Sequence, residues 1–512
     1  MLAAAETDSA EVFEARRHWR HHQALSAALT ETMERWRAAH PDLQALDMRR
    51  LLPGLDGFCR DLDSRFDEME RMLAGEPPRQ SPHAINLAPS EPDVDGLPHF
   101  ARAALMVARN RLQDIERLTR AQFETLSAIR DGSRAPEASV RAGGPIARLV
   151  PDTDRLVDAL RVMAVLVLAY LGWIYVEGLP GAAGFVVFAG ALAMIKAAMP
   201  QIPVRAMFVP AVVGGVCALF LYIGVMPHLS SFSGLALMLF AATFAIYYWF
   251  YKPSQALGRL FGVLMLLTLT DISSPQSYDF SQTSELALMF PLIFALLAAL
   301  AFFPHSPRPE KVILRQLGRF FRSSEYLMST MRPGPVSLAG RWRRAFHRHE
   351  IETLPGKMRA WAPHVETRRL PGTTPEQVEQ LVSSLQTLGF RIQELLEARS
   401  QPLVEDLVRD LLVDVRDWRL KGQAAFRRLS THPAAADEEA FRQSLATTLE
   451  TLEARMRAVV DQTAKEKADK DQLGTETFYR LLGAYRALSE AMVDYAGRAA
   501  AIDWAPWREA RF

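Results

Sequence analysis

The 512-residue sequence predicts an all-α fold: a six-helix transmembrane bundle at 151–305, flanked by N- and C-terminal cytoplasmic helical domains at 1–150 and 306–512. Three observations carry this. The chain is 23% Asp, Glu, Lys and Arg, yet between 162 and 304 the charged residues are only Glu177, Lys196, Arg205, Lys252, Arg259, Asp271, Asp279 and Glu285. A stretch so depleted belongs in hydrocarbon. The flanks, by contrast, are densely charged, with apolar residues three and four apart as in amphipathic helices and no strand-like alternation longer than a few residues. Finally, Lys and Arg gather in alternate loops of the apolar stretch.

In chain order, helices are expected over about 9–40 and 43–74, then a Pro-rich connection at 75–98, a long helix over 99–130 and a linker at 131–145. Apolar spans follow at about 156–176, 184–199, 207–226, 232–251, 257–270 and 286–303. A crossing takes about 17–25 residues. The first, third and fourth spans meet this, the second gains reach by snorkelling Lys196, and the fifth is short. Helices then resume over about 309–331, 337–361, 374–399, 401–430, 437–466 and 473–501, with breaks such as RPGP (332–335) and LPGTTP (370–375).

Loop charge sets the orientation. Arg148, Arg155 and Arg161 precede or open the first span. Lys196 and Arg205, then Lys252 and Arg259, bracket two further loops, and His305, Arg308, Lys311, Arg315, Arg319 and Arg322 follow the last span. The loops EGLPGAAG (177–184), PHLSSF (227–232) and DISSPQSYDFSQTSE (271–285) hold no Lys or Arg. Under the positive-inside rule both termini are cytoplasmic. No cleavable signal peptide is expected, because the N-terminus turns charged before an apolar run develops.

Polar groups at membrane depth are the candidate functional residues. Asp158 and Arg161, one turn apart at the mouth of the first span, either pair, attract an organic anion, or snorkel with no transport role. Lys196, Arg205 and Arg259 supply further positive charge, for anion attraction or for interfacial anchoring. Asp271, at the outer end of the fifth span, and Asp158 are the proton-coupling candidates; a solvated loop acid is the plainer account of Asp271. Gln276, Tyr278 and Phe280 offer hydrogen-bonding and aromatic surface, or interface anchors. Pro210 and Pro291 fall inside spans, where each frees a carbonyl and permits a kink. Gly214-Gly215 lets helices approach closely. His18, His21 and His22 share nearly one helix face but lack companion ligands, so no metal is expected. Arg341, Arg343, Arg344, His347, Arg348 and His349 form a basic cluster that either meets anionic headgroups or is solvated.

A net charge of +1, from 59 Lys+Arg and 58 Asp+Glu, gives no reason to expect nucleic-acid binding. Cys59 and Cys217 are too separate for a disulfide framework or a thiolate metal site. GxxxxGK[ST], HExxH and GxSxG motifs are absent and no nucleophile–base constellation emerges, so neither an enzyme nor a cofactor is expected.

DTDRLVDALRVMAVLVLAYLGWIYVEGLPGAAGFVVFAGALAM (152–194), YWFYKPSQALGRLFGVLMLLTL (248–269) and SPQSYDFSQ (274–282) resemble the fusaric acid resistance and aromatic acid exporter family of bacterial inner-membrane proteins. About 150 residues carry the motif-level likeness, while the flanking helices resemble the family in kind. The resemblance implies proton-driven efflux of aromatic or other organic acids, with a periplasmic membrane-fusion adaptor as partner. Family members typically hold two sets of six helices. One set after an N-terminal soluble region resembles the family's C-terminal half, which implies a homo-oligomer or a second six-helix set supplied elsewhere or upstream. Two other classes fit the pattern: a membrane-anchored helical scaffold or regulator, and a passive anion channel.

Overall fold

The computed structural model describes residues 15–43, 46–90, 93–94, 97, 99–131, 150–181, 183–252, 255–270, 272, 278–331, 337–399, 412–434 and 472–509, with isolated positions between 439 and 454. Every regular element among them is helical. The chain runs through α1 (Arg16–Leu43), α2 (Leu55–Leu73) and α3 (His99–Asp131) into six apolar helices: α4 (Thr153–Tyr175), α5 (Ala183–Ala198), α6 (Val204–Phe220), α7 (Phe232–Trp249), α8 (Ala256–Thr270) and α9 (Phe280–Ala301). It ends in α10 (Pro309–Ser329), α11 (Leu338–Trp361), α12 (Pro375–Arg399), α13 (Leu412–Thr431) and α14 (Gln472–Ala500).

Local chemistry sets the helix ends. The helix expected over 43–74 is two pieces, Met48–Leu51 and α2, because Pro53 and Gly54 interrupt it. The last apolar helix begins earlier than its apolar run. Asp279 Oδ1 accepts the Ser281 and Gln282 N–H groups at 2.9 and 3.2 Å, so the polar turn before Glu285 is already helical. At α12, Thr374 and Gln377 form a reciprocal capping box: Gln377 N–H donates to Thr374 Oγ1 at 3.3 Å, and Thr374 N–H to Gln377 Oε1 at 2.8 Å. The helix expected over 437–466 lies mostly outside the described residues.

Contacts divide the chain into two compact units: Met1–Val150, Leu314–Ala362 and Thr367–Phe512 in one, Pro151–Ile313 and Pro363–Glu366 in the other. In the apolar unit, α4, α7, α9 and the stretch Val204–His228 (α6 continued through a π turn and a 3-10 turn) have the length and apolarity to cross a membrane. Helices α5 and α8, with 16 and 15 residues, are shorter. Helix α9 touches α4, α5, α6 and α8. Its Phe294 ring meets Phe208 and Phe261 at 5.7 and 5.9 Å between centroids, and Phe290 meets Phe188 at 5.2 Å. Helix α6 lies close against α8: a methyl group on Gly214 would stand 3.3 Å from the Phe261 carbonyl oxygen, and one on Gly262 3.0 Å from Ile246 Cγ2 of α7. This is the small-residue packing expected for Gly214.

The other unit joins both flanks, which the sequence treats as separate domains. Helix α3 packs on α1, α2 and α14, and α12 packs on α14, α11 and α1. Apolar burial supplies most of the attraction. Phe321 sits among Phe320, Phe426 and Tyr495 at 5.4, 6.0 and 4.9 Å, and Trp418 stacks edge-on to Tyr485 while its indole N–H donates to Ser489 Oγ at 3.0 Å. Buried ions stitch the seam between the flanks. Glu394 of α12 accepts from Arg111 of α3 at 3.0 Å and from Arg391 at 3.1 Å. Arg35 of α1 binds Gln393 and reaches Glu397 at 3.5 Å. Burial pushes the Glu394 carboxyl up, but Arg111 and Arg391 outweigh it and hold the group below its ordinary value.

Candidate functional site

The polar groups of the apolar unit fall into a cluster at one end, two further cations, and a tyrosine tie. In the cluster Asp158 Oδ1 accepts from Arg161 Nη1 at 3.0 Å, and both side chains are partly buried. Arg161 does more than pair: Nε donates to the Phe303 carbonyl at 2.8 Å and Nη2 to that of His305 at 3.1 Å. It satisfies carbonyls that α9 leaves open past its C-terminus and so clamps the start of α4 to the end of α9. Lys196, at the end of α5, donates to the Pro200 carbonyl at 2.8 Å and lies within electrostatic reach of Asp158 and Arg161. Three of the six candidate ionisable groups therefore meet at one end of α4, α5 and α9. Asp154, one turn before Asp158, also acts on it, so the two cations stand near two carboxylates.

The other cations stand elsewhere. Arg205 Nη2 pairs with Glu366 at 2.9 Å in an exposed contact, and Arg259 Nη1 donates to the Tyr251 carbonyl at 3.0 Å, closing the turn between α7 and α8. Asp271 and Gln276 lie outside the described residues. Pro210 and Pro291 sit inside α6 and α9, which run on through them.

Tyr278 has a partner that the sequence did not single out. Its hydroxyl donates to the Met226 carbonyl at 2.9 Å, while the Asp279 N–H donates to the Tyr222 hydroxyl at 3.0 Å, with the two rings 5.7 Å apart. Tyr222 lies in the π turn that ends α6, so the pair ties that turn to the N-cap of α9. The available signal was a tyrosine inside an otherwise apolar span, followed by Gly224 and Pro227. Phe280 is exposed and takes no part in the tie.

Outside the apolar unit, His21 and His22 each have a buried ring nitrogen without a hydrogen-bond partner among the described residues, and burial followed by the His21 charge lowers the His22 pKa. No group of three or more metal-type side chains occurs among the described residues. The basic cluster on α11 is partly committed to its own unit. Arg344 donates to the Thr330 carbonyl at 2.8 Å, and His347 Nδ1 shares a hydrogen bond with Ser323 Oγ at 3.0 Å.

Apolar helices of spanning length, gathered with shorter ones in one unit that has polar contacts at its helix ends, define a multi-pass membrane protein. The profile of the fusaric acid resistance protein family matches residues 1–360, and the chain belongs to that family of membrane transport and resistance proteins. The match takes in α1–α3, all six apolar helices and nearly all of α11. A search of curated proteins found no match.

Proposed function

We propose that the chain is a transporter subunit of the bacterial inner membrane that exports aromatic or other organic acids, driven by proton entry down the proton gradient. The observation that carries this is the cluster of ionisable groups: Asp158, Arg161 and Lys196 place two cations and a carboxylate together at one end of three apolar helices of a transport family. Lys196 attracts the substrate carboxylate, Arg161 holds the entrance in shape, and Asp158 is the proton acceptor nearest both; Asp271 is the coupling candidate at the outer side.

All six apolar helices cross the bilayer in this reading, with α5 and α8 buried against longer neighbours. Both flanks are cytoplasmic. Their union into one folded unit supports an even number of crossings between them, and the loop charges select the cytoplasmic side. The path forms between helix sets, from a second copy or another six-helix set, and a periplasmic adaptor receives the substrate. The large flank unit also favours a second reading, a membrane-anchored scaffold.

Proteoliposomes with an imposed pH gradient and a hydroxybenzoate- or fusarate-like acid test the proposal. Gradient-dependent flux is expected, with kcat/KM lowered about tenfold by Lys196→Gln and unchanged by Arg259→Gln. Flux that ignores the pH gradient would indicate a passive channel. No flux from an intact oligomer, or from the chain combined with a second helix set, would leave the scaffold.

A further inference from the structure

Two faces of the flank unit are unpartnered and complementary. On α2, Asp63, Asp67 and Glu70 are exposed and take part in no ion pair among the described residues. Phe66 is 42% and Leu73 60% exposed beside them. Their spacing of three and four puts these five residues on one helix face, with Arg60 as its one unpaired cation and Cys59 exposed on the same side. On α11, Leu338 is 69% and Trp342 41% exposed, and the Trp342 ring stacks on Phe346 at 5.8 Å and 15°. Arg341 and Arg343 are exposed on either side of them, and no acid occurs from 338 to 349; further along α11, Arg348 interacts with Glu352. Each face thus combines large apolar side chains, which cost free energy in water, with one sign of charge.

We propose that these two faces bind each other between copies of this chain, α11 of one protomer lying against α2 of the next. Trp342 and Leu338 cover Phe66 and Leu73, while Arg341 and Arg343, flanking Trp342, reach toward Asp63, Asp67 and Glu70. About a two-fold axis the contact forms twice, doubling both the apolar area and the charge pairs. Tryptophan and arginine are the residues that most often dominate such contacts. The anionic-lipid alternative for α11 is less well supported. His347 meets Ser323 and Arg344 meets Thr330, so α11 runs antiparallel to α10 and its basic end lies beside the C-terminal end of α10. Those contacts take two of the six side chains of the basic cluster away from a lipid surface.

This inference stands apart from the transport reading and is tested without flux. The full chain in neutral-lipid nanodiscs is sized by mass photometry, with charge reversals on either face. Arg341→Glu with Arg343→Glu, and separately Asp63→Arg with Asp67→Arg, are each expected to raise the dissociation constant about tenfold or more, and the fourfold variant to restore it. In a Cys217→Ser background, Trp342→Cys is expected to form an intermolecular disulfide with native Cys59 under mild oxidation. Unchanged oligomeric state in both reversals, with helicity and melting preserved, would overturn the proposal. So would a disulfide found only within one chain, or a reversal on α11 that reduces binding to anionic nanodiscs alone.

Discussion

Replacing Glu394 by Gln keeps the side chain's shape and removes its charge. Arg111 and Arg391, 5% and 8% exposed at the side chain, then remain in a water-poor seam with their shared carboxylate gone. Breaking a buried pair from one side costs about 3–5 kcal/mol. Arg111 keeps Asp114 at 3.6 Å and Glu397 at 3.9 Å, which places the expected loss at the lower end, about 3 kcal/mol. That is a more than hundredfold shift toward the open flank unit. Arg111→Leu leaves Glu394 still paired with Arg391 and is expected to cost roughly half as much. Pulse proteolysis of the full chain in detergent across a urea series measures both. The seam has a pH signature as well. Because the folded state holds the Glu394 pKa below its ordinary value, its contribution is complete above the ordinary glutamate range and is lost as pH falls through the folded value. Glu394→Gln therefore flattens the acid limb of the stability profile. A loss below about 1 kcal/mol in both variants would refute the claim that these ions join the flanks.

Other outcomes follow from contacts at single residues. Tyr222→Phe leaves the Asp279 N–H without its acceptor and is expected to cost about 1–3 kcal/mol, against about 0.5–1.5 for Tyr278→Phe, read from melting in detergent. Gly214→Leu forces α6 away from α8 and costs about 1–3 kcal/mol or abolishes accumulation in the membrane, whereas Gly57→Ala, within α2 where an added methyl meets nothing within 4 Å, is expected to stabilise by about 0.4–1 kcal/mol. Burial is the largest cause holding His347 below the ordinary imidazole value; Glu350 opposes it and Arg343 adds to it. Its unfolded form binds a proton first, so stability is full above the ordinary imidazole pKa and falls as pH drops below it. Proteolysis at pH 7.5 and 5.5 is expected to show this loss, reduced in His347→Gln.

The six apolar helices were legible because bilayer burial leaves a local signature, long runs without charge. The candidate cluster was legible for the same reason: Asp158, Arg161 and Lys196 are conspicuous in such surroundings. The clamp was not, since nothing in periodicity says that Arg161 meets carbonyls more than 140 residues away. The union of the flanks was hidden for a related reason. Arg111 and Glu394 sit in charge-rich helices where most ions face water, and only their pairing across 283 positions distinguishes them. Tyr222 was masked by its apolar neighbours, and the start of α9 by polar residues that read as loop until Asp279 caps them.

A domain assembled from the two ends of a chain imposes an order on biosynthesis. Helix α3 is complete at residue 131 and its partner α12 begins at 375, so at ribosomal speeds of about 5–20 residues per second the first half waits roughly 12–50 s for the second. During that interval its sticky face is open to chaperones and proteases, and a truncated or wrongly inserted product never covers it. The seam thus acts as a completeness test: only a polypeptide translated to its far end, with its helices threaded correctly, buries that face.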